Sequence, residues 1–578
     1  MTWIHPLSAE VEETAEVLGS KAHGLIVLRR LGLPVPPGFV ISTEACRVFL
    51  RTGRPPGGFD AQLAAAVAGL EAATDRGFGG SRRPLAVSVR SGGSVSMPGM
   101  MSTVLNLGLT TEATTALADE TGDLRFALDS RLRFLTSFAT EVTGVGRTSL
   151  TAIDRAPAGR GTGTSRLSEA IRHVERLIAE HGGEPVPEDA ARQLELAVAA
   201  VFSSWNTPRA KTYRELHGIS HDLGTAVTVQ AMVFGNRDRR SGTGVGFSRD
   251  PNTGEHVPFG EVLFGRQGED VVSGTSLTEP LSELAGREPE VWTRLMSALS
   301  RLEEHYRDAC YVEFTFEAGE LWLLQVRPGR LVGRAAVRVA VDLADAGTIG
   351  RDEALLRVSP RHLAHVTTPR ITAIDPRDLF TRGLGACPGV AVGRVATSAD
   401  SAVRLAAKGP VILMRPETSP LDMHGLAAAT GVVTARGGPT SHAAVVARSM
   451  GKPAVVGAAG LTVDAAEGCV RAGGRTLREG ALIAVDGTGG EVVVGEPRIA
   501  TSSTDPQLHR LLDWADAVTG GGTPGDGAVG DETPEDRVTG DRATGDGTTG
   551  HEITGRNEAE RLASAQAVIR RAGDGRES

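Results

Sequence analysis

Residues Gly437 to Arg448, reading Gly-Gly-Pro-Thr-Ser-His-Ala-Ala-Val-Val-Ala-Arg, set a single histidine where it could take up a phosphoryl group. The apolar run Gly431-Val432-Val433-Thr434 reads as a buried strand that breaks at Gly-Gly-Pro, after which Thr440 and Ser441 cap a helix opening at His442. A helix start presents unpaired N–H groups and the positive end of the helix dipole, so negative charge carried there is stabilised. Ala443 and Ala444 leave the imidazole accessible. Spacing alone also suits an ordinary surface histidine, because imidazole serves many roles.

A nucleophile needs a donor, and the N-terminal half holds residues suited to a nucleoside triphosphate. Gly19-Ser20-Lys21-Ala22-His23-Gly24 reads as a loop before an apolar helix over Leu25 to Leu33. It is not a P-loop, since Gly-x-x-x-x-Gly-Lys-Ser/Thr is absent. Lysine occurs only at Lys21, Lys211, Lys408 and Lys452 in a chain whose basic charge is otherwise arginine, which draws attention to Lys21 as a compact point charge. Ser88-Val89-Arg90-Ser91 lies at a strand, Leu85 to Val89, and Ser96-Met97-Pro98-Gly99-Met100-Met101-Ser102-Thr103 follows. Glycine and small hydroxyl residues beside an arginine can wrap phosphates, while the methionines read as core filling. Tyr311 to Glu317 and Leu321 to Val326 read as a hairpin turning at Ala318-Gly319. Glu313, Gln325 and Arg327 then gather a carboxylate, an amide oxygen and a guanidinium at one place, which suits Mg²⁺ and a triphosphate. A plain Glu313–Arg327 ion pair fits the same spacing.

The elements that must carry these groups fall into successive blocks. Residues 1–335 mix strands (Ala226 to Phe234, Gly242 to Ser248) with amphipathic helices (Asp129 to Thr143, Leu167 to His181). Residues 336–375 read as a helical connector, 376–498 as a compact unit of short strands and glycine turns, and 499–578 as a low-complexity, mostly disordered tail with Thr-Gly-Asp repetition. Within the tail, Glu558 to Arg571 has the pattern of a short amphipathic helix, with fraying in solvent expected over docking. The length of 578 residues allows about four domains. A net charge of −9 gives no support to nucleic-acid binding. Cys46, Cys310, Cys387 and Cys469 are far apart and read as reduced core thiols. The N-terminus lacks the apolar run of a signal peptide, and no stretch reaches the roughly 20 apolar residues of a membrane span, so a soluble cytoplasmic protein is expected.

Gly437 to Gly457 resembles the phosphohistidine signature of the enzymes that use phosphoenolpyruvate, and Arg415-Pro416-Glu417-Thr418-Ser419-Pro420 is most similar to its counterpart in pyruvate phosphate dikinase. Nearly all of residues 15–335 resembles the nucleotide domain of the same family: Val87 to Leu109, Trp205-Asn206 with Arg209, Thr225 to Asn236, Ser241 to Val245, Gly260 to Gly274 and His305 to Arg327. The resemblance implies a mixed α/β (α+β) chain. An ATP-grasp-type nucleotide-binding domain would span residues 1–335, with a helical insertion near 111–215. A helical linker over 336–375 and a swivelling phosphohistidine β/α domain over 376–498 would follow, ahead of the disordered tail. Lys21, Arg90, Arg133 and Arg327 would contact phosphates, and Glu313 and Gln325 would hold Mg²⁺. Gln230 to Val233 would line the adenine pocket, with Gly242, Thr243 and Asp270 also contacting ATP. His442 would be the nucleophile, and Thr440 would be a regulatory phosphorylation site.

Two positions depart from the family pattern. Ser102 stands where aspartate is expected, and Gly265-Arg266 replaces Asn-Ala before Gln267, which puts phosphate-acceptor specificity in question. The pyruvate-binding barrel of the family needs roughly 250 residues, and no such length follows residue 498. The resemblance therefore implies the first half-reaction: ATP phosphorylates His442, AMP leaves, and the terminal phosphate passes to inorganic phosphate or water. The connector and the glycine-rich stretch near 383–393 would let the second unit swing. Pyruvate or another acceptor, bound elsewhere or on a separate chain, would take the phosphoryl group. The competing expectations are a phosphotransferase for a specialised small molecule and a non-catalytic regulatory remnant of a dikinase.

Overall fold

The structure is a computed structural model of the chain. It describes residues 2–95, 97, 101–146, 149–150, 163–182, 184–268, 270, 278–329, 331, 333–363, 366, 369–372, 374–439, 441–501, 505–519, 560–568 and 570.

Two five-stranded antiparallel sheets build the N-terminal unit. The first runs Ile4–Pro6, Gly38–Ile41, Ala226–Ala231, Val87–Gly92, Thr103–Leu107 in spatial order. The second runs Glu279–Pro280, Phe259–Phe264, Gly242–Phe247, Cys310–Glu317, Glu320–Pro328. Gly242-Thr243-Gly244-Val245-Gly246-Phe247 alternates by design of the pleat, because successive side chains point to opposite faces. Gly242 and Gly244 lie opposite Phe316 and Phe314, and a Cβ there would fall 2.3 and 2.6 Å from the rings. The glycine face thus admits the aromatic core, while Thr243, Val245 and Phe247 share the opposite face. The hairpin at Ala318-Gly319 is present, both residues being left-handed (φ 52° and 83°), as a tight two-residue connection requires.

Lys21 does not lie in a loop. The helix Ala15–Arg30 runs through it, with a break at Gly19 (φ 74°, ψ 152°). A Cβ on Gly19 would sit 1.8 Å from the Gly92 carbonyl oxygen, so only glycine lets the helix restart this close to the strand. The glycines that suggested a loop are a kink, and Lys21 stands in the first turn after it.

The helices Gly333–Asp345, Arg351–Arg357 and Pro360–Leu363 form the connector, and the strand Pro369–Ile371 pairs with Ile499–Thr501 as the chain enters and leaves the second unit. Two stretches after residue 498 are ordered and docked, where fraying in solvent was expected for the second. Residues 506–519 form a helix whose Leu508, Leu511, Leu512 and Ala515 are buried against the connector. Residues 560–568 form another, with Leu562 and Ala565 buried in the same core and the Gln566 amide donating to the carbonyls of Leu355 (2.6 Å) and Val358 (2.7 Å). Those carbonyls flank the C-terminal end of Arg351–Arg357, where helix oxygens lack partners. The Thr-Gly-Asp repeats lie outside the described residues.

The second unit is built on an eight-stranded sheet, with a smaller three-stranded antiparallel sheet (Thr462–Asp464, Cys469–Ala472, Arg475–Arg478) beside it in sequence. Its central strands Val390–Ala396, Val411–Arg415, Gly431–Thr434 and Ala454–Val456 are parallel, with antiparallel strands outside them. The helices Ala399–Ala406, Met423–Ala428 and His442–Met450 contribute to the core on one face. Near-continuous burial of Val-Ile-Leu-Met and Gly-Val-Val-Thr is what a parallel sheet covered on both faces demands. The 383–393 stretch is not a pivot. Leu384–Cys387 and Val390–Ala396 are strands of this sheet, and Gly383 packs where a Cβ would meet the Val456 carbonyl oxygen at 2.5 Å. Its glycines serve close packing, and the paired strands Pro369–Ile371 and Ile499–Thr501 form the chain's passage between units.

Candidate active site

The two N-terminal sheets meet through Arg90, whose guanidinium reaches from the first sheet to Glu313 Oε2 (3.4 Å) and to the Leu324 carbonyl (3.4 Å) on the second. Glu313 lies opposite Gln325 in the hairpin register. With its amide oxygen toward Arg327, Gln325 accepts from Nε and Nη2 of that residue, both at 2.7 Å; the opposite orientation gives it one bond of 3.3 Å from Arg90. The Glu313–Arg327 pair that spacing also allowed is replaced by these crossed partners. Lys21 completes the cluster. Burial, and after it the positive charge of Arg90 and Arg327, bring its ammonium down to about 7 against the raising effect of Glu313. Lys21, Arg90 and Arg327 thus gather around Glu313 in a half-buried site, an arrangement of donors that suits a polyphosphate.

Glu313 and Gln325 offer one carboxylate and one amide oxygen from neighbouring strands. Mg²⁺ commonly takes one or two carboxylates and fills its remaining positions with phosphate oxygens and water, so this donor pair fits that ion beside a triphosphate. Among the described residues, no group of three or more His, Cys, Asp or Glu side chains could hold a metal without such help.

Arg133 and Asp270 form a second group. Their side chains pair through two bonds of 3.2 Å, and Arg133 also holds Asp129 at 3.0 Å. Gln267 ties this pair to Asn236 (3.1 Å) and Asn106 (3.3 Å), so Arg133 is neutralised by carboxylates in this arrangement. Thr243 is buried and donates to the Phe314 carbonyl (3.0 Å), while Gly242 serves the aromatic packing above. Gln230 is buried with its amide on the Pro36 carbonyl (3.1 Å). Val233 lies just past the end of Ala226–Ala231, part-exposed, in the passage toward the second sheet.

His442 opens its helix as expected, and Ser441 occupies the N-cap position, but the Ser441 hydroxyl makes no capping bond and is buried without a partner. Thr440 lies outside the described residues. The imidazole is half-buried, and burial lowers its pKa below the usual histidine value despite the raising effect of Asp422. Its Nδ1 lies 3.1 Å from Thr418 Oγ1. The loop carrying Thr418 is fixed by a reciprocal box in which Asp422 accepts from Ser419 N (2.8 Å) and Ser419 Oγ accepts from Leu421 N (3.2 Å). The Ser419-x-x-Asp422 spacing is a legible capping signal that could have drawn attention to Thr418. Replacing Thr418 by valine is expected to slow phosphorylation of His442 about tenfold, near the upper end of a neutral hydrogen bond's worth, with the product still on His442; rapid-quench labelling would measure it.

Arg448 was not given a role from sequence. It is buried, and its guanidinium donates to the carbonyls of Ala386 (2.9 Å) and Pro439, tying the histidine loop to the sheet. Glu261 and Asp250 of the N-terminal unit act favourably on its charge. A Cβ added to Gly438 would fall 1.8 Å from Glu261 Oε2, and Asn252 donates to the Gly385 carbonyl at 3.3 Å. Glu261 pairs with Val245, which pairs with Glu313. Residues paired across antiparallel strands share a face, so the histidine loop rests on the face of the sheet that presents Glu313 and Gln325. Lys452 is a structural cation: its ammonium donates to the carbonyls of Leu426, Ala427 and Ala429 at a helix end.

Among the described residues no helix is long and apolar enough to cross a membrane. Residues 55–281 match the family described as "Pyruvate phosphate dikinase, AMP/ATP-binding domain", and residues 407–490 match "PEP-utilising enzyme, mobile domain". The chain is 43% identical over 540 residues to "Pyruvate, phosphate dikinase" of Rhizobium meliloti (strain 1021), covering 89% of this chain and 60% of the relative. It is 42% identical over 515 residues to "Pyruvate, phosphate dikinase 2" of Zea mays, covering 87% and 58%. The corresponding protein of Oryza sativa subsp. japonica is 41% identical over 513 residues, with the same coverage. The chain thus spans about 60% of the length of the curated relatives it matches.

Proposed function

Because the chain belongs to the pyruvate phosphate dikinase family over the part of those enzymes that it spans, we propose that it is an ATP-dependent phosphotransferase that phosphorylates its own His442. ATP lies between the two N-terminal sheets, with its phosphates at Lys21, Arg90 and Arg327. Mg²⁺ bound at Glu313 and Gln325 would supply charge neutralisation of the β- and γ-phosphates. With the Nδ1 proton donated to Thr418 Oγ1, the neutral imidazole keeps its Nε2 lone pair for attack. A bond forms from Nε2 to the β-phosphorus as the bond from that phosphorus to the AMP oxygen breaks, and AMP leaves. The γ-phosphoryl group then passes to inorganic phosphate, giving pyrophosphate, or to water, giving phosphate. The β-phosphoryl group stays on His442 until pyruvate or another acceptor, bound elsewhere on this or another chain, removes it.

The observation that supports this reading best is the seating of the histidine loop, Gly438 against Glu261, on the sheet face shared by Glu313 and Gln325. The protein incubated with Mg²⁺, excess ATP and inorganic phosphate should release AMP and pyrophosphate in equal amounts, up to one per chain in the absence of an acceptor. Release of ADP in place of AMP contradicts the reading. Phosphate in place of pyrophosphate selects water as the second acceptor.

A further inference from the structure

Gly93, Met97, Met101 and Ser102, between the strands Val87–Gly92 and Thr103–Leu107, rest on a side-chain stack that the proposed chemistry does not use. Trp205 is 2% exposed and packs with Met97 and Met101 of that segment. At one end, a Cβ on Gly93 would lie 3.8 Å from the indole ring. At the other, Ser102 N donates to Ser204 Oγ (3.4 Å) beside the tryptophan. Beneath the indole lies Arg214, wholly buried, its guanidinium carbon 4.1 Å from the ring centroid. Arg214 donates to the Trp205 carbonyl (2.7 Å) and to His221 Nδ1 (3.1 Å), and the indole N–H donates to the His221 carbonyl (2.8 Å). Its Nη2 has no partner, and among the described residues no carboxylate forms an ion pair with it. Burial disfavours this guanidinium more than the nearby charge of Glu215 supports it, and flat stacking on an indole face is the interaction that a guanidinium makes and an ammonium does not.

The stack continues into the nucleotide site. The Gly93 carbonyl accepts from both the backbone N–H and the hydroxyl of Ser20, each at 3.0 Å. The side chain of Lys21 lies along Gly92, where an added Cβ would meet its Cβ at 3.5 Å. We propose that Trp205 and Arg214 are positioning residues for the nucleotide site, forming the seat that fixes Gly93, Met97 and Met101 and, through Gly92 and Gly93, the place of Lys21. The assignment rests on the function proposed above, but its physical core is the position of one ammonium group.

That position has a chemical readout independent of turnover. With only four lysines in the chain, amine labelling at one fixed alkaline pH followed by peptide mass spectrometry reports the accessibility of Lys21 against the exposed Lys211 and Lys408 as internal controls. Wild type should label Lys21 more slowly than either control, because its side chain is packed along Gly92. Arg214→Met and Trp205→Leu, loosening the seat, should each speed Lys21 labelling about threefold or more relative to the controls, because the group gains solvent. The same variants should raise the ATP concentration that half-saturates His442 phosphorylation about tenfold with a smaller fall in the limiting rate. Arg214→Lys, which keeps the charge and loses the flat stack, should resemble Arg214→Met. Trp205→Phe keeps an aromatic floor and loses only the indole N–H, so it should change Lys21 labelling less than Trp205→Leu; it also serves if the larger changes prevent folding, as judged by circular dichroism. Unchanged Lys21 labelling and half-saturation in folded variants would overturn the assignment. Absence of phosphohistidine in the wild type would refute the proposed function instead, leaving Lys21 labelling to report on the seat.

Discussion

Lys21→Met is expected to lower the rate of His442 phosphorylation by about a thousandfold, the upper range for removing one donor aimed at developing charge in a water-poor site. Methionine keeps the apolar contact along Gly92 and removes only the ammonium, so loss of fold is not the expected cause. The effect should carry a pH signature. The free protein holds Lys21 at about 7, through burial and then Arg90 and Arg327, against Glu313. A bound triphosphate reverses that balance and raises the value. Above pH 7 binding must then take up a proton, so ATP affinity falls as pH rises, by up to about tenfold per unit until the bound-state value is reached. Calorimetry in buffers of different ionisation enthalpy would measure the uptake, and Lys21→Met should abolish it. The acid limb belongs to His442, whose pKa burial places below the ordinary histidine value, so the imidazole stays neutral at pH values where an exposed histidine would be charged. Phosphorylation should therefore rise with pH through that lowered value and fall above about 7.

Arg448→Met should cost the second unit about 3–5 kcal/mol, because two buried hydrogen bonds from a charged donor, each worth roughly 1.5–3 kcal/mol, are lost together. The carbonyls of Ala386 and Pro439 both lose their donor, and Pro439 belongs to the loop that presents His442. Arg448→Lys should not restore stability, since one ammonium cannot reproduce a fork spanning two carbonyls. Urea unfolding followed by a probe in the second unit would give the stability change. Labelling at His442 should fall further than stability alone requires, because Glu261 and Asp250 lose the charge they act on. An unchanged unfolding midpoint would mean that the loop is anchored by other contacts.

The parts of this chain that were legible from sequence are those where local pattern and burial agree. The hairpin carrying Glu313 and Gln325 follows from alternating apolar residues and a left-handed turn, and the helix at His442 from a strand that breaks at Gly-Gly-Pro. Gly19 was misleading because a glycine before an apolar run signals a loop locally. Only the approach of the Gly92 carbonyl, distant in sequence, shows that it is a kink inside a helix. The glycines near 383–393 misled for the same reason: their freedom is spent on close packing against Val456, on another strand, and Gly487, in the turn after Leu482–Asp486. The helix at 560–568 was undervalued because its apolar face is short, and its docking depends on Gln566 meeting carbonyls of the connector. Thr418, Arg448 and Trp205 stood within segments that the resemblance picked out. Their partners, a ring nitrogen, two carbonyls and a buried guanidinium, exist only once the chain is folded.

The most direct test of the account is incubation with Mg²⁺, inorganic phosphate and ATP labelled in the β-phosphate, followed by acid lability and site mapping. An acid-labile label on His442, absent from His442→Ala and absent when only the γ-phosphate is labelled, is the predicted result. No label on the folded protein, or a label that survives His442→Ala, would contradict it.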